Sequence, residues 1–230
     1  MSANETIRSY LIAQGIHIMG FADLSSIPAP NRENFPFGIV FGIPYSREGM
    51  LENMLGNPKK CSDEYFEQNR RMAKIATGLA HELVDLGFKA SAKTYTSVAY
   101  DKDLRTVLPY KTVARLAGLG WIGKCALLVS EAYGAALRMS VVLTNAALEC
   151  GNPVTDSGCP HDCMTCTDIC PGNAVSGKLW EQTMDRDDFF DAAACETAAT
   201  NRAQTLLGLD ESICGLCMSN CPFTRRVLSY

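Results

Sequence analysis

The chain has 230 residues, 47% hydrophobic and 20% charged, and a formal net charge of -4, which suits one large domain or a domain with a small appendage. No basic field marks nucleic acid as the main partner. No apolar run approaches the roughly 20 residues of a membrane span, and Met1-Ser2-Ala3-Asn4-Glu5 lacks the basic and apolar regions of an export signal, so the expected setting is the cytoplasm, away from membranes.

In chain order, Glu5 to Gln14 reads as a helix. Gly38 to Tyr45 is a short apolar run with glycines and reads as a buried strand. Ser62 to Asp85 is a long helix: Met72, Ile75, Ala76, Leu79, Leu83 and Leu86 keep helical spacing, Ser62 or Asp63 can cap it, and Gly87 follows as a stop. Phe88 to Ser97 alternates and is rich in Thr, Ser and Tyr, as a strand would be. Pro109 opens a short helix ending at Gly118 or Gly120, and Leu137 to Thr144 is another strand. Alternating strands and helices indicate a layered mixed α/β, or α+β, domain. Turn residues cluster from Gly151 to Pro160. The expected division is a larger domain over 1–150 and a small cysteine-rich one over 151–230.

The chain has 11 cysteines. In a reducing compartment, and with an odd count, a disulfide framework is disfavoured and metal binding is favoured. Cys61, Cys125 and Cys150 are scattered and read as small core residues. The other eight fall after residue 158. Cys159, Cys163, Cys166 and Cys170-Pro171 form C-x3-C-x2-C-x3-C-P; Cys214, Cys217 and Cys221-Pro222 form C-x2-C-x3-C-P, with Cys195 upstream as a fourth thiol. Bacterial two-cluster ferredoxins use C-x2-C-x2-C-x3-C-P, whose last cysteine ligates the other cluster. By that logic Cys159, Cys163, Cys166 and Cys221 hold one [4Fe–4S] cluster, and Cys170, Cys195, Cys214 and Cys217 hold a second. Cys150 is the alternative to Cys159. Zinc is the competing reading of the C-x2-C pairs. His161, inside the first loop, is expected to hydrogen-bond rather than ligate.

Upstream lies Gly118-Leu-Gly120-Trp121-Ile-Gly123-Lys124. Its G-x-G-x-x-G spacing lacks the preceding strand, following helix and acidic residue of a dinucleotide site. Three glycines this close let a backbone approach something closely, or serve a tight turn.

This segment, followed by the paired cysteine pattern, resembles epoxyqueuosine reductases. With Tyr133-Gly134, Arg138 and Val142 to Thr144 it is also similar to reductive dehalogenases. The resemblance implies a corrinoid-binding α/β core followed by a ferredoxin-like domain with two [4Fe–4S] clusters. It further implies a base-off cobalamin, reduced through the clusters to nucleophilic cob(I)alamin, and an external low-potential electron donor. On that reading Gly118, Gly120, Trp121 and Gly123 lie against the cofactor, and Arg105, Lys124 and Arg138 meet its polar groups. Epoxyqueuosine reductases carry a catalytic acid in an Asp-Ser-Ala-Pro context; here Asp101 to Lys111 occupies that place. Asp103, Tyr110 and Lys111, with Tyr100 and Arg105 beside them, are the candidate proton donors or substrate contacts.

Members acting on tRNA continue into a helical-repeat region, whereas this sequence stops at Tyr230 and is acidic. The expected partner is therefore a small-molecule substrate or a corrinoid partner, with tRNA disfavoured but not excluded. The competing functions are a non-catalytic electron carrier that reduces a corrinoid partner, and a flavin reductase on a similar core.

Overall fold

The computed structural model describes residues 2–228. They form two compact units that interleave along the chain. Unit 1 comprises the chain up to Ile43, Glu67–Leu119 and Arg138–Val154; unit 2 comprises Pro44–Phe66, Gly120–Leu137 and the chain from Thr155 onward. The cysteine-rich unit thus takes in two segments from before residue 150, where a single boundary was expected.

Unit 1 is built on a four-stranded sheet of order β1-β2-β6-β3, with β1 at Ile18–Asp23, β2 at Phe37–Pro44, β3 at Ala90–Lys93 and β6 at Leu137–Thr144. β1 runs antiparallel to β2, placing Phe21 opposite Ile39, and β3 runs antiparallel to β6. Helix α1 (Ala3–Ala13) starts at a capping box: the Ser2 hydroxyl accepts from the Glu5 N–H, and the Glu5 carboxylate accepts from the Ser2 N–H. The long helix α3 (Lys59–Asp85) turns Met72, Ile75, Ala76, Leu79 and Leu83 inward. These pack with Ile7 and Leu11 of α1 and with Phe21, Ile39, Phe41 and Val142 of the sheet in one core. Cys150 lies partly buried against that core, its thiol donating to the Leu148 carbonyl. Helix α4 (Tyr110–Leu116) follows Pro109 and packs on β1.

Unit 2 contains α2 (Arg47–Met54), the start of α3, a hairpin of β4 (Trp121–Ile122) and β5 (Leu128–Val129), and the helices α5 (Thr165–Asp168), α6 (Ala192–Leu207), α7 (Leu216–Asn220) and α8 (Pro222–Leu228). Asn53 of α2 explains why residues 44–66 belong here. Its amide is fully buried, donates to Ser219 Oγ of α7 and accepts from Arg202 of α6. Among the described residues no helix is long and apolar enough to cross a membrane.

Candidate metal centre

The hairpin decides what the glycine-rich segment does. A Cβ on Gly120 would stand 2.1 Å from the Val129 carbonyl oxygen, and one on Gly123 would stand 2.7 Å from the Val129 side chain. In unit 1, Gly118 has φ +79, and a Cβ there would meet the Asn152 carbonyl oxygen at 2.7 Å. At all three positions the Cβ direction is filled by the protein's own atoms, which is why glycine is needed in these turns.

Trp121 and Lys124 are likewise committed. The Trp121 indole N–H donates to Cys159 Sγ (3.4 Å), and its ring stands edge-on to Phe223. Lys124 is 2% exposed, and its Nζ donates to the carbonyls of His161 (2.8 Å) and Cys163 (2.9 Å). A phosphate or amide contact for Lys124 was expected; the structure gives its ammonium to the first cysteine loop.

Beside Lys124 opens a cavity with about 360 Å³ of empty space, part of it open to solvent, walled by the thiols of Cys125, Cys159, Cys163, Cys166, Cys217 and Cys221. Four of these six are the residues that spacing assigns to the first cluster. Cys217, assigned to the second, also faces this cavity. Cys125 was read as an ordinary core residue, and it hydrogen-bonds with Cys166. Its signal in the sequence was only its place next to Lys124. The hydrogen bond to Cys125, then burial, pushes the Cys166 thiol up; burial does the same to Cys221, which feels Cys159 and Cys166.

Cys170, Cys195 and Cys214 form a second neighbourhood. Burial, then the proximity of Cys170 and Cys214, pushes Cys195 up to about 11. Burial also raises Cys214, with Arg202 acting in the opposite direction. Cys61 adjoins this group: burial, Glu64 and Cys214 push it up to about 12. All eleven cysteines are free thiols. Among the described residues no three Cys, His, Asp or Glu side chains stand close enough to hold a single metal ion; the first-group thiols surround a space instead.

The remaining sequence candidates lie in unit 1. Asp101 Oδ1 accepts the backbone N–H groups of Asp103 and Arg105 and so organises a turn that sequence reasoning did not single out. Asp103 is exposed and pairs with Lys102. Arg138 donates from Nε to Asn69 Oδ1 (2.7 Å). Lys111 occupies the first turn of α4. Tyr110 is half-buried, yet its hydroxyl oxygen is fully buried with no partner, as is Thr106 Oγ1 nearby in the chain. Burial, then Tyr100, raises the Tyr110 phenol above its ordinary range; Arg138 acts against this. Tyr95, Tyr100 and Val107 of the same stretch are exposed.

The chain is thus a mixed α/β protein whose second unit gathers most of its free thiols around buried Lys124. No family model matches the chain. Its curated relatives include the epoxyqueuosine reductase of Lactococcus garvieae (strain Lg2), 28% identical over 175 residues, covering 73% of this chain and 44% of the relative. That of Gloeobacter violaceus is 34% identical over 128 residues, covering 50% of this chain and 36% of the relative. The chain therefore spans less than half the length of these relatives. Similar solved structures include the catabolic reductive dehalogenase NpRdhA in complex with 3-bromo-4-hydroxybenzoic acid, with TM-score 0.66 and 19% identity over 96% of this chain and 32% of that one. The epoxyqueuosine reductase from Streptococcus thermophilus gives TM-score 0.57 and 18% identity over 98% of this chain and 67% of that one. At these identities the structures show a shared fold. The resemblance carried by the glycine and cysteine motifs thus recurs in the curated sequences and in the fold.

Proposed function

We propose that the chain carries two [4Fe–4S] clusters and acts as an iron–sulfur oxidoreductase of the epoxyqueuosine reductase and reductive dehalogenase kind. An external low-potential donor would supply the electrons, the clusters would hold them, and a bound corrinoid would supply the chemistry of a reductive cleavage or deoxygenation. The observation that carries this reading is the cavity of unit 2, which six cysteines and the stem of buried Lys124 line together. Ligands spread around a volume suit a multi-iron cubane better than a single tetrahedral zinc. Cys159, Cys163, Cys166 and Cys221 hold the first cluster; Cys170, Cys195, Cys214 and Cys217 hold the second. The ligand pattern makes the cysteine-rich part ferredoxin-like.

At the Gly118 to Lys124 segment the Cβ directions are occupied by the chain and the lysine ammonium is given to the cysteine loop, which supports placing the corrinoid's polar contacts elsewhere in unit 1. Among the polar atoms of unit 1 that a bound polar group would satisfy are Thr106 Oγ1 and Tyr110 Oη. We assign the holding of the corrinoid to Thr106, with Arg105 and Arg138 from the same unit. When bound, the corrinoid supplies a metal centre that can be reduced to a nucleophile. Tyr110 keeps its proton on Oη through the neutral range and is the candidate donor to the leaving group. Asp103 and Lys111 are the accompanying candidates for substrate contact. The net charge of -4 favours a small substrate over nucleic acid. A second reading, an electron carrier that serves a corrinoid partner, is favoured by the closed glycine turn.

The test is anaerobic reconstitution followed by titration with cobalamin. About 8 iron per chain, the content of two cubanes, and a spectral change to the base-off form are expected. Stoichiometric zinc without iron would refute the cluster assignment. Full iron with no spectral change would leave the carrier reading.

A further inference from the structure

The Gly118 to Lys124 motif falls at the edge of the cysteine-rich unit, and its last four residues are fixed by the β4–β5 hairpin. Lys124 presents a problem of charge. Its ammonium is buried, its acceptors are two backbone carbonyls, and no carboxylate among the described residues forms an ion pair with it. An ammonium removed from water without a counter-ion is costly. The wall it shares is lined with thiols, and thiolates around an iron–sulfur cluster would supply the missing negative charge.

Trp121 meets the same wall from a different side. The indole N–H can only donate, and it donates to Cys159 Sγ. The ring is held in place by Gly158, where a Cβ would come within 2.9 Å of three ring carbons, and by the edge of Phe223 at 5.0 Å. Cys159 is also the thiol whose spacing departs from the ferredoxin run.

We propose that Lys124 and Trp121 are positioning residues of the first cluster, the ammonium as its counter-charge and the indole as an N–H···S donor, and that together they raise its reduction potential. The proposal rests on the cluster reading above. Reduction adds one negative charge to the cluster. A fixed cation in a low-dielectric wall, and a hydrogen bond to a ligating sulfur, both stabilise the more negative state. The motif then serves the electron path.

The experiment uses the full chain, reconstituted anaerobically, with iron and sulfide assayed and both potentials followed by EPR-monitored redox titration. In Lys124→Met, one potential should fall so that the reduced-to-oxidised ratio at fixed applied potential drops at least tenfold, a shift of at least about 59 mV for one electron, while the other stays put. Lys124→Arg should restore most of it. Trp121→Phe should lower the same potential by a smaller amount. Unchanged potentials in both Lys124→Met and Trp121→Phe at full iron content would overturn the proposal. If Lys124→Met loses half its iron, retention in Lys124→Arg supports the charge role, and equal loss in Lys124→Arg refutes it. An unmodified protein that takes up no iron refutes the cluster reading itself.

Discussion

Replacing Tyr110 by phenylalanine separates the stability of unit 1 from its chemistry. The Tyr110 hydroxyl is buried with no hydrogen-bond partner, and an unsatisfied buried polar group costs about 1–3 kcal/mol. Phenylalanine keeps the ring and removes the oxygen. The space left is small and returns part of the gain, so the variant should be about 1 kcal/mol more stable, a rise of about 2–4 °C in Tm for a chain of this size. The sign of the pH dependence follows from the raised phenol. A group whose folded pKa lies above its unfolded value contributes its full stability below about pH 10. That contribution disappears as pH rises through the folded value, because ionisation then favours the unfolded chain. Urea melts of both proteins between pH 8 and roughly pH 11 should therefore show the native protein losing stability faster at the alkaline end. A Phe variant less stable by about 1 kcal/mol at neutral pH would refute the reasoning, since it would mean that the hydroxyl is satisfied. If Tyr110 donates the proton of the reductive step, the stabilised variant should also lose turnover while keeping its iron.

Other perturbations address the turn and the cysteines. Gly120→Ala drives a Cβ into the Val129 backbone; it should destabilise by about 1–3 kcal/mol in chemical melts, equally with and without cobalamin. Cys221→Ala should remove the first cluster and halve the iron from about 8 to about 4, leaving the EPR signal of the second. Cys217→Ala, despite facing the first cavity, should remove the second, and loss of the first alone would reverse the assignment. Asp191→Ala deletes the side chain that caps α6 at the Ala194 N–H; about 1 kcal/mol of helix stability should go, and because α6 carries Cys195, one cluster should yield faster to an iron chelator.

Elements set by local chemistry are legible in the sequence. β6 occupies the predicted Leu137–Thr144, and α3 turns Met72, Ile75, Ala76, Leu79 and Leu83 of its predicted stripe inward, whereas Leu86 falls beyond the helix end and is exposed. That helix begins earlier than Ser62 because Asn57-Pro58 starts it, with Asn57 Oδ1 accepting from the Lys59 N–H. The Phe88 to Ser97 strand stops at Lys93 because hydroxyls of Thr94 and Ser97 fold the chain into a turn. β1 went unread because its burial is nearly continuous rather than alternating. Helix α6 went unread because its run of alanines gives little amphipathic contrast, though Asp191 and Gly208 bracket it as cap and stop.

The candidate site shows the same division at longer range. The grouping of Cys159, Cys163 and Cys166 follows from spacing, which is why it was legible. Nothing in the spacing connects Cys125 or Lys124 to that loop, because those meetings depend on a hairpin that joins Trp121 to Val129 and on where a later segment of chain passes. The glycines illustrate the consequence. A G-x-G-x-x-G read in isolation invites a ligand, since glycine allows close approach from any neighbour. Here the neighbours are Asn152 and Val129 of the same chain. Among the described residues, Thr106 Oγ1 and Tyr110 Oη of unit 1 are buried without a hydrogen bond, which is why the proposed corrinoid contacts are sought along residues 100–110. Residues 120–124 are left to serve the thiols.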